Sequence, residues 1–414
     1  MRAFSMLFSL IQSVLAGRHN LRAHAWQSAA NYSQQTFGLV LGVLLARLLS
    51  PQIFGEFAYV SAVVGLVLLP FSWSLAPQIV AEIRTNPDIV NDALWVSRRV
   101  ILGRALGAAL ACLYLGWTSG GQAALLGAVV AIPLVGAELV AVLRASLEGR
   151  GHFNINFWDS ILSAAFTAAI ALPSAWLGAG VWSLALPGVP FFLMQLWFFT
   201  RTSGHRSLQP FSAHSNRSYF RSGSALWVSS LGEGALIRLD KFFLAKFSTL
   251  DAVGDYNRAS NYAPLSARIL NSLLTNPTVA ALTHAEGSRQ RRALIVKSAS
   301  LLLAGSLINF IVLWGFSDPL VPLVFGPQWT SAIPVFEAMA PLSLVLSIAY
   351  LPVAGALAER AYTRIAVSRL LVLAVFVTGV LVFRESLNAP LMACMLQGAL
   401  LLQGISLVLM RFSR

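Results

Sequence analysis

The chain contains two similar copies of a stretch of 15 residues. The first copy is RLLSPQIFGEFAYVS, residues 47–61, and the second is KFSTLDAVGDYNRAS, residues 246–260. At an offset of 199 positions the copies align without a gap, so that Gly55 meets Gly254 and Glu56 meets Asp255. Because this offset is close to half of the 414 residues, the match predicts a chain built from two similar halves.

The composition indicates that lipid is part of the protein's solvent. Hydrophobic residues make up 57% of the chain and charged residues only 11%, and the mean hydropathy is +0.71. A soluble globular protein carries about 25% charged residues. Runs such as ALLGAVVAIPLVGAELVAVL, residues 124–143, are long enough to cross a bilayer as a helix and lack the strict alternation of barrel strands. We therefore predict an all-α integral membrane protein.

Apolar runs and Gly/Pro-bearing links together predict twelve transmembrane helices in two six-helix lobes related by a pseudo-two-fold axis. The predicted spans are 27–47, 56–80, 100–118, 123–143, 158–178, 181–200, 223–245, 255–282, 294–315, 331–357, 364–383 and 389–410. Residues 1–26 are predicted to form a cytoplasmic amphipathic segment, and residues 201–222 a basic cytoplasmic linker. The lobes are then residues 27–200 and 223–414.

Lysine and arginine are distributed unevenly between the predicted connectors. If the N-terminus is cytoplasmic, the opposite connectors hold only Arg47, Lys246 and Arg384. Loop Lys/Arg bias orients membrane proteins, so both termini are predicted to be cytoplasmic. The same distribution accounts for the net charge of +13 without a nucleic-acid partner.

The two repeat copies then fall at the outer link between the first two helices of each half. Gly55 and Gly254 are predicted to form tight turns. Glu56 and Asp255, each followed by an aromatic residue (Phe57 and Tyr256), are predicted to start the next helix at the positive end of its dipole.

Polar residues inside the predicted spans concentrate in the seventh and eighth helices. Their helical spacing predicts a stripe that faces a water-filled lumen. The candidate substrate-binding residues on it are Arg238, Lys241, Arg258, Asn261, Arg268 and Asn271. More cations than acids would attract an anion, and several arginines suit a diphosphate. The alternatives are ion pairs that fix helix packing and, above all for Arg47, Lys246 and Arg104, snorkelling to the interface.

Three acids in the predicted spans are candidates for ion coupling or for pairing with a nearby cation. Asp240 could neutralise Arg238 or Lys241 on its own helix. Glu138 and Glu337 could titrate and couple proton movement to transport, or each could pair with an arginine such as Arg144.

The sequence contains no motif for chemistry. It lacks a phosphate-binding Gly-Lys-Ser/Thr loop, a nucleophile elbow and a metal-binding histidine pair, so no enzyme activity, metal or cofactor is predicted. A membrane glycosyltransferase or polymerase would carry catalytic residues on a long outer loop. The longest outer connector, residues 315–331, is short and mostly apolar.

Four stretches resemble the Wzx-type polysaccharide flippases, a family in the superfamily of the MATE multidrug exporters and the lipid II flippases. They are LLSPQIFGEFAYVS (48–61), LRASLEGRGHFN (143–154), LIRLDKFFLAKFSTLDAVGDYNRAS (236–260) and LVPLVFGPQWTSAIPVFEAMAP (320–341). In this resemblance Asp240 matches an acid common in the seventh helix, and Gly254 and Tyr256 match a turn motif.

The resemblance implies a MATE-like fold and a function. Family members move undecaprenyl-diphosphate-linked oligosaccharides from the inner to the outer leaflet of the bacterial cytoplasmic membrane, by alternating access with ion coupling. It also implies membrane lipid, and a polysaccharide polymerase and chain-length regulator, as partners. The alternative is a MATE-like exporter of small organic molecules. A cationic drug would require acids in the lumen, so the sign of the lumen's charge separates the two functions.

Overall fold

Helices account for nearly all of the described chain. The computed structural model describes residues 18–72, 76–83, 85–86, 88–203, 216–265, 267–269, 288–358 and 361–412. The α-helices of this part are α1 Arg18–Leu48, α2 Pro51–Leu68, α3 Ala76–Glu82, α4 Ile89–Ser119, α5 Gly121–Gly149, α6 Asn154–Trp176, α7 Trp182–Ala185, α8 Gly188–Ser203, α9 Asn216–Phe247, α10 Leu250–Tyr262, α11 Ser288–Phe325, α12 Ile333–Met339, α13 Leu342–Ala358, α14 Tyr362–Val382 and α15 Ala389–Phe412. Short 3₁₀ helices cover Leu69–Phe71, Pro327–Ala332 and Arg384–Ser386.

Each predicted span coincides with helical structure where it is described. Nine helical stretches of the described chain are long and apolar enough to cross a membrane. They are Pro51–Phe71, Ile89–Ser119, Gly121–Gly149, Asn154–Trp176, Trp182–Ser203, Val296–Phe325, Pro327–Ala349, Thr363–Val382 and Ala389–Met410. Of the other three predicted spans, the first and seventh lie on α1 and α9. The eighth begins on α10, and its residues 270–282 lie outside the described residues. Those helices also carry most of the polar residues of the candidate site.

Prolines divide three of the predicted spans. In the second span, α2 passes into a 3₁₀ helix that contains Pro70. In the sixth and tenth spans, short turns at Pro187 and Pro341 separate α7 from α8 and α12 from α13. Proline has no backbone N–H and clashes with the preceding turn, so an uninterrupted helix through these positions is disfavoured. Residues 18–26 of the predicted N-terminal segment belong to α1, and residues 1–17 lie outside the described residues.

The repeated glycines form a helix crossing, so the prediction that they form turns is wrong. Gly55 lies within α2 and Gly254 within α10, and neither has a positive φ. A Cβ atom on Gly55 would lie 1.8 Å from the Leu250 carbonyl oxygen, and one on Gly254 would lie 1.9 Å from the Pro51 carbonyl oxygen. Pro51 and Leu250 are themselves partners in the repeat, so the contact is reciprocal and the two helices cross about a local two-fold axis. Small residues allow this approach of two backbones in membrane proteins.

Other residues make the turns before the crossing helices. Pro51 occupies the first turn of α2 after the extended N-cap residue Ser50. The Thr249 hydroxyl accepts a hydrogen bond from the Ala252 N–H at the start of α10. Glu56 and Asp255 therefore lie beyond the first turn of their helices, and the prediction that they begin these helices is wrong.

The two halves are joined at the end of the bundle where α1 meets α2 and α9 meets α10, which we call the crossing end. Here the Trp329 indole N–H and the Gln328 amide each donate to the Ala46 carbonyl, at 2.8 Å. Arg47 donates to the carbonyl groups of Leu323 and Val324. The largest buried apolar cluster also spans both halves, from Phe54 in the first half to Trp329 in the second. Arg47 is thus a link between the halves.

Candidate functional site

Three cavities surround α10 and share one residue, Asn261. The basic cavity, of about 300 Å³, lies between α1 and α10. The seam cavity, of about 500 Å³, lies between α2, α5, α7 and α8 of the first half and α9 and α10 of the second. The second-half cavity, of about 460 Å³, lies inside the second half and is mostly apolar. Asn261 lines all three, so this residue lies where the space between the halves adjoins the space within one of them.

Arginine and lysine are the charged residues of the two cavities between the halves. Arg258 and Arg268 line the basic cavity, and Arg238 and Lys241 line the seam cavity. The described lining of both cavities contains no aspartate or glutamate. The second-half cavity differs, because Glu233 and Asp240 accompany its cations. The space between the halves is therefore suited to an anion.

Arg258 is buried against aromatic rings of both halves. Its guanidinium carbon lies 3.5 Å from the centroid of the Phe54 ring and 5.6 Å from that of Trp329. Its Nη1 donates to the Tyr262 hydroxyl at 3.2 Å, whereas Nε and Nη2 have no hydrogen-bond partner among the described residues. Two buried donors with no partner at the wall of a cavity favour binding of an oxygen-rich ligand.

Arg268 differs from Arg258 in being exposed to its cavity. It lies ten positions after Arg258 in the sequence, and its Nη2 donates to the Ser260 carbonyl at 3.1 Å. Gln34 and Gln35 face the same cavity from α1. These polar residues of the first helix were not predicted as part of the site, although the polar run NYSQQ at 31–35 marked that helix as less apolar than its neighbours.

Asp240 neutralises Lys241, its neighbour in the sequence. The predicted helix had allowed a pairing with either Arg238 or Lys241. The two charges lie 3.3 Å apart, and Asp240 is buried. The buried Tyr256 hydroxyl donates to Asp240 at 3.0 Å. Lys241 also donates to the Ile237 carbonyl at 2.9 Å, so its ammonium is held along α9 between two cavities.

The remaining polar stripe residues make local contacts. The Arg238 Nη1 donates to the Gly234 carbonyl at 2.9 Å. The Asn261 amide donates to the Asn257 carbonyl at 2.7 Å. Asn271, also predicted for this stripe, lies outside the described residues.

Glu138 pairs with Arg104, a partner that the sequence did not indicate. The two side chains are 3.6 Å apart and both are buried, at 7% and 8% exposure. Arg104 also donates to the carbonyl groups of Phe71 and Leu134 and to the Ser72 hydroxyl. Snorkelling is therefore wrong for Arg104. The suggested partner for Glu138, Arg144, instead binds Asp159 at 2.5 Å.

The other candidate acids lie apart from the three cavities. Glu337 is half-buried on α12 and lines none of them. Glu56 lines a separate cleft at the crossing end, and Asp255 is buried near Ser331. A further ion pair, between Glu233 and Arg369 at 2.7 Å, lines the second-half cavity and was not predicted.

A family model described as "Polysaccharide biosynthesis protein" matches residues 44–334. The chain belongs to this family. The match covers well over half of the chain and contains both copies of the repeat, the crossing and the four cations that line the two cavities between the halves. The resemblance to polysaccharide flippases is thereby confirmed at the level of the family.

Two curated relatives are similar to this member of the polysaccharide biosynthesis family. The succinoglycan biosynthesis transport protein ExoT of Rhizobium meliloti is 26% identical over 316 residues, 74% of this chain and 63% of ExoT. The lipopolysaccharide biosynthesis protein WzxC of Escherichia coli is 27% identical over 222 residues, 51% of this chain and 43% of WzxC. The chain thus matches less than two thirds of the length of either relative.

Solved structures show the same fold. An inward-facing MATE-family multidrug transporter of the MOP superfamily has a TM-score of 0.68 at 15% identity, covering 92% of this chain and 94% of its own. The lipid II flippase MurJ, in an inward closed conformation, has a TM-score of 0.68 at 12% identity, covering 93% and 87%. The prediction of an all-α, MATE-like membrane protein is confirmed.

Proposed function

We propose that this protein is a flippase that moves an undecaprenyl-diphosphate-linked oligosaccharide from the cytoplasmic to the outer leaflet of the bacterial cytoplasmic membrane. One observation carries the proposal: the two cavities between the halves are lined by Arg238, Lys241, Arg258 and Arg268, with no acid in their described lining. Arginine pairs well with phosphate oxygens, and a polar path between the halves spares the headgroup from crossing hydrocarbon. The names of ExoT and WzxC place these relatives in polysaccharide pathways.

We further propose that the crossing end faces the outside, following the predicted Lys/Arg bias. The halves are joined at this end by α2, α10 and Trp329. The cargo would then enter the cavities from the cytoplasmic side and leave after the crossing end separates. A polysaccharide polymerase and a chain-length regulator would receive it there.

A MATE-like exporter of small organic molecules is the second candidate, supported by the fold of the MATE transporter. A cationic drug would require acids between the halves, where the described lining has none. The second-half cavity contains Glu233 and Asp240, but each lies within 4 Å of a cation. The charge of the cavities therefore favours the flippase.

Replacing Arg268 with glutamate is expected to lower export at least about tenfold, because an acid in the basic cavity would repel a diphosphate. The measurement is surface polysaccharide in a strain that lacks its own copy of the gene and expresses the variant. We expect that strain, without the variant, to accumulate undecaprenyl-diphosphate-linked oligosaccharide in the inner leaflet.

The matched control is Arg384→Glu, which makes the same charge change at an exposed 3₁₀ helix outside the three cavities. It is expected to export normally. Normal export by Arg268→Glu, at an equal amount of protein in the membrane, would contradict the assignment of a diphosphate to this cavity.

Ion coupling is proposed for Asp240, because it holds Lys241 at the junction of two cavities and can release it to an anionic cargo. We expect collapse of the pH gradient to reduce export by the parent protein and to leave residual export by Asp240→Asn unaffected. Glu233→Gln, which changes another acid of the second-half cavity, should keep the response. An unchanged response in Asp240→Asn would remove this residue from the coupling mechanism.

A further inference from the structure

We propose that Arg258 makes separation of the crossing end depend on an anionic cargo. The identity of that cargo rests on the proposed function, whereas the gate itself rests on the contacts of Arg258. Arg258 contacts aromatic rings of both halves, and it also lines the basic cavity.

The ring contacts place Arg258 at the closure. Phe54 precedes Gly55 in α2, and Arg258 follows Gly254 by about one turn in α10. The guanidinium of one half therefore stacks on the ring of the other half directly beside the crossing, at 3.5 Å. The same cluster includes Trp329, which holds the end of α1 through the Ala46 carbonyl. A cation over an aromatic face is an attraction between the halves.

Arg258 lines the basic cavity, and its hydrogen bonding is incomplete. The residue is only 6% exposed, yet its Nε and Nη2 have no hydrogen-bond partner in the described chain. No carboxylate of the described residues forms an ion pair with it. A buried guanidinium with two free donors is stabilised by an anion that accepts hydrogen bonds from both, in the bidentate manner that phosphate allows.

The aromatic rings and an anion in the basic cavity compete for one side chain. A phosphate oxygen pair in the basic cavity would draw the guanidinium toward α1, because charge-assisted hydrogen bonds are stronger than a contact with an aromatic face. Withdrawal from Phe54 removes an attraction between the halves at the crossing. An uncharged or cationic molecule of the same size has no such effect. Arg258 thus selects cargo at the opening step, in addition to any selection by binding.

The experiment measures the separation of the halves at the crossing end. Spin labels are attached to Ser119→Cys in the first half and Ser386→Cys in the second, both exposed. The background carries Cys112→Ala and Cys394→Ala, which removes the two native thiols. The distribution of distances between the two labels is recorded by pulsed electron paramagnetic resonance. The sample is the full chain in lipid nanodiscs, with and without inorganic pyrophosphate.

Phe54→Leu is expected to enlarge the long-distance population, meaning the fraction of molecules in which the two labels are far apart. We expect a rise of at least about twofold without any ligand, because the ring contact is lost. Phe166→Leu is the matched control: it makes the same change at an exposed aromatic residue of α6 that lines none of the three cavities. We expect the control to match the parent. A Phe54→Leu distribution equal to the parent's overturns the proposal.

Pyrophosphate is expected to raise the long-distance population of the parent and to leave that of Arg258→Gln unchanged. Uncharged glucose serves as the control for a ligand without charge, and it should have no effect. An equal pyrophosphate response in Arg258→Gln overturns the role of Arg258. If the gate responds as expected but the gene supports no polysaccharide export, the proposed function fails and the gate stands.

Discussion

Replacing Glu138 with alanine is expected to destabilise the folded protein by about 3–5 kcal/mol, because it leaves Arg104 as an uncompensated buried charge. The two side chains are among the least exposed ionisable groups of the described chain, and their charged atoms are 3.6 Å apart. The measurement is unfolding of the purified protein in mixed detergent micelles by titration with sodium dodecyl sulfate.

The control is the double variant Arg104→Met, Glu138→Met. Replacing both charges of a buried pair by apolar groups of similar size is often close to neutral, so most of the lost stability should return. If Glu138→Ala unfolds like the parent protein, the pair is not structural. Glu138 would then again be a candidate for ion coupling. Measuring transport by the folded Glu138→Gln variant would test that role.

Alanine at Gly55 or at Gly254 is expected to cost about 2–3 kcal/mol. The new methyl groups would lie 1.8 Å and 1.9 Å from carbonyl oxygens of the opposite helix, which are backbone atoms and cannot rotate away. The two changes should have similar effects because the contacts are reciprocal. Their combination should cost less than the sum, since either one alone already forces the helices apart.

Gly379→Ala is the matched control for the crossing. This residue lies inside α14, and no atom is found within 4 Å of its added Cβ. Alanine is favoured over glycine in a helix by up to about 1 kcal/mol, so the control should match or exceed the parent in stability. Parent-like unfolding of Gly55→Ala in the same detergent titration would contradict the close approach of the α2 and α10 backbones.

The polar stripe of the predicted seventh and eighth helices shows which part of the site could be predicted from the sequence. Periodicity placed Arg258, Asn261 and Arg268 on one side of one helix, and all three line the basic cavity. Periodicity could not supply the partner surface, because Gln34 and Gln35 come from α1, more than 200 positions earlier. Phe54 was missed as a contact of Arg258 for the same reason.

The apolar runs and the repeat determined by themselves that the chain is helical, spans the membrane and has two similar halves. These properties follow from local hydropathy and from register along one chain, which are fully written in the residues. The tertiary structure alone decided that the repeated glycines are a helix crossing and that Glu138 pairs with Arg104 instead of Arg144. Such contacts depend on which helices meet and at what rotation, and that is set by the packing of all the helices together.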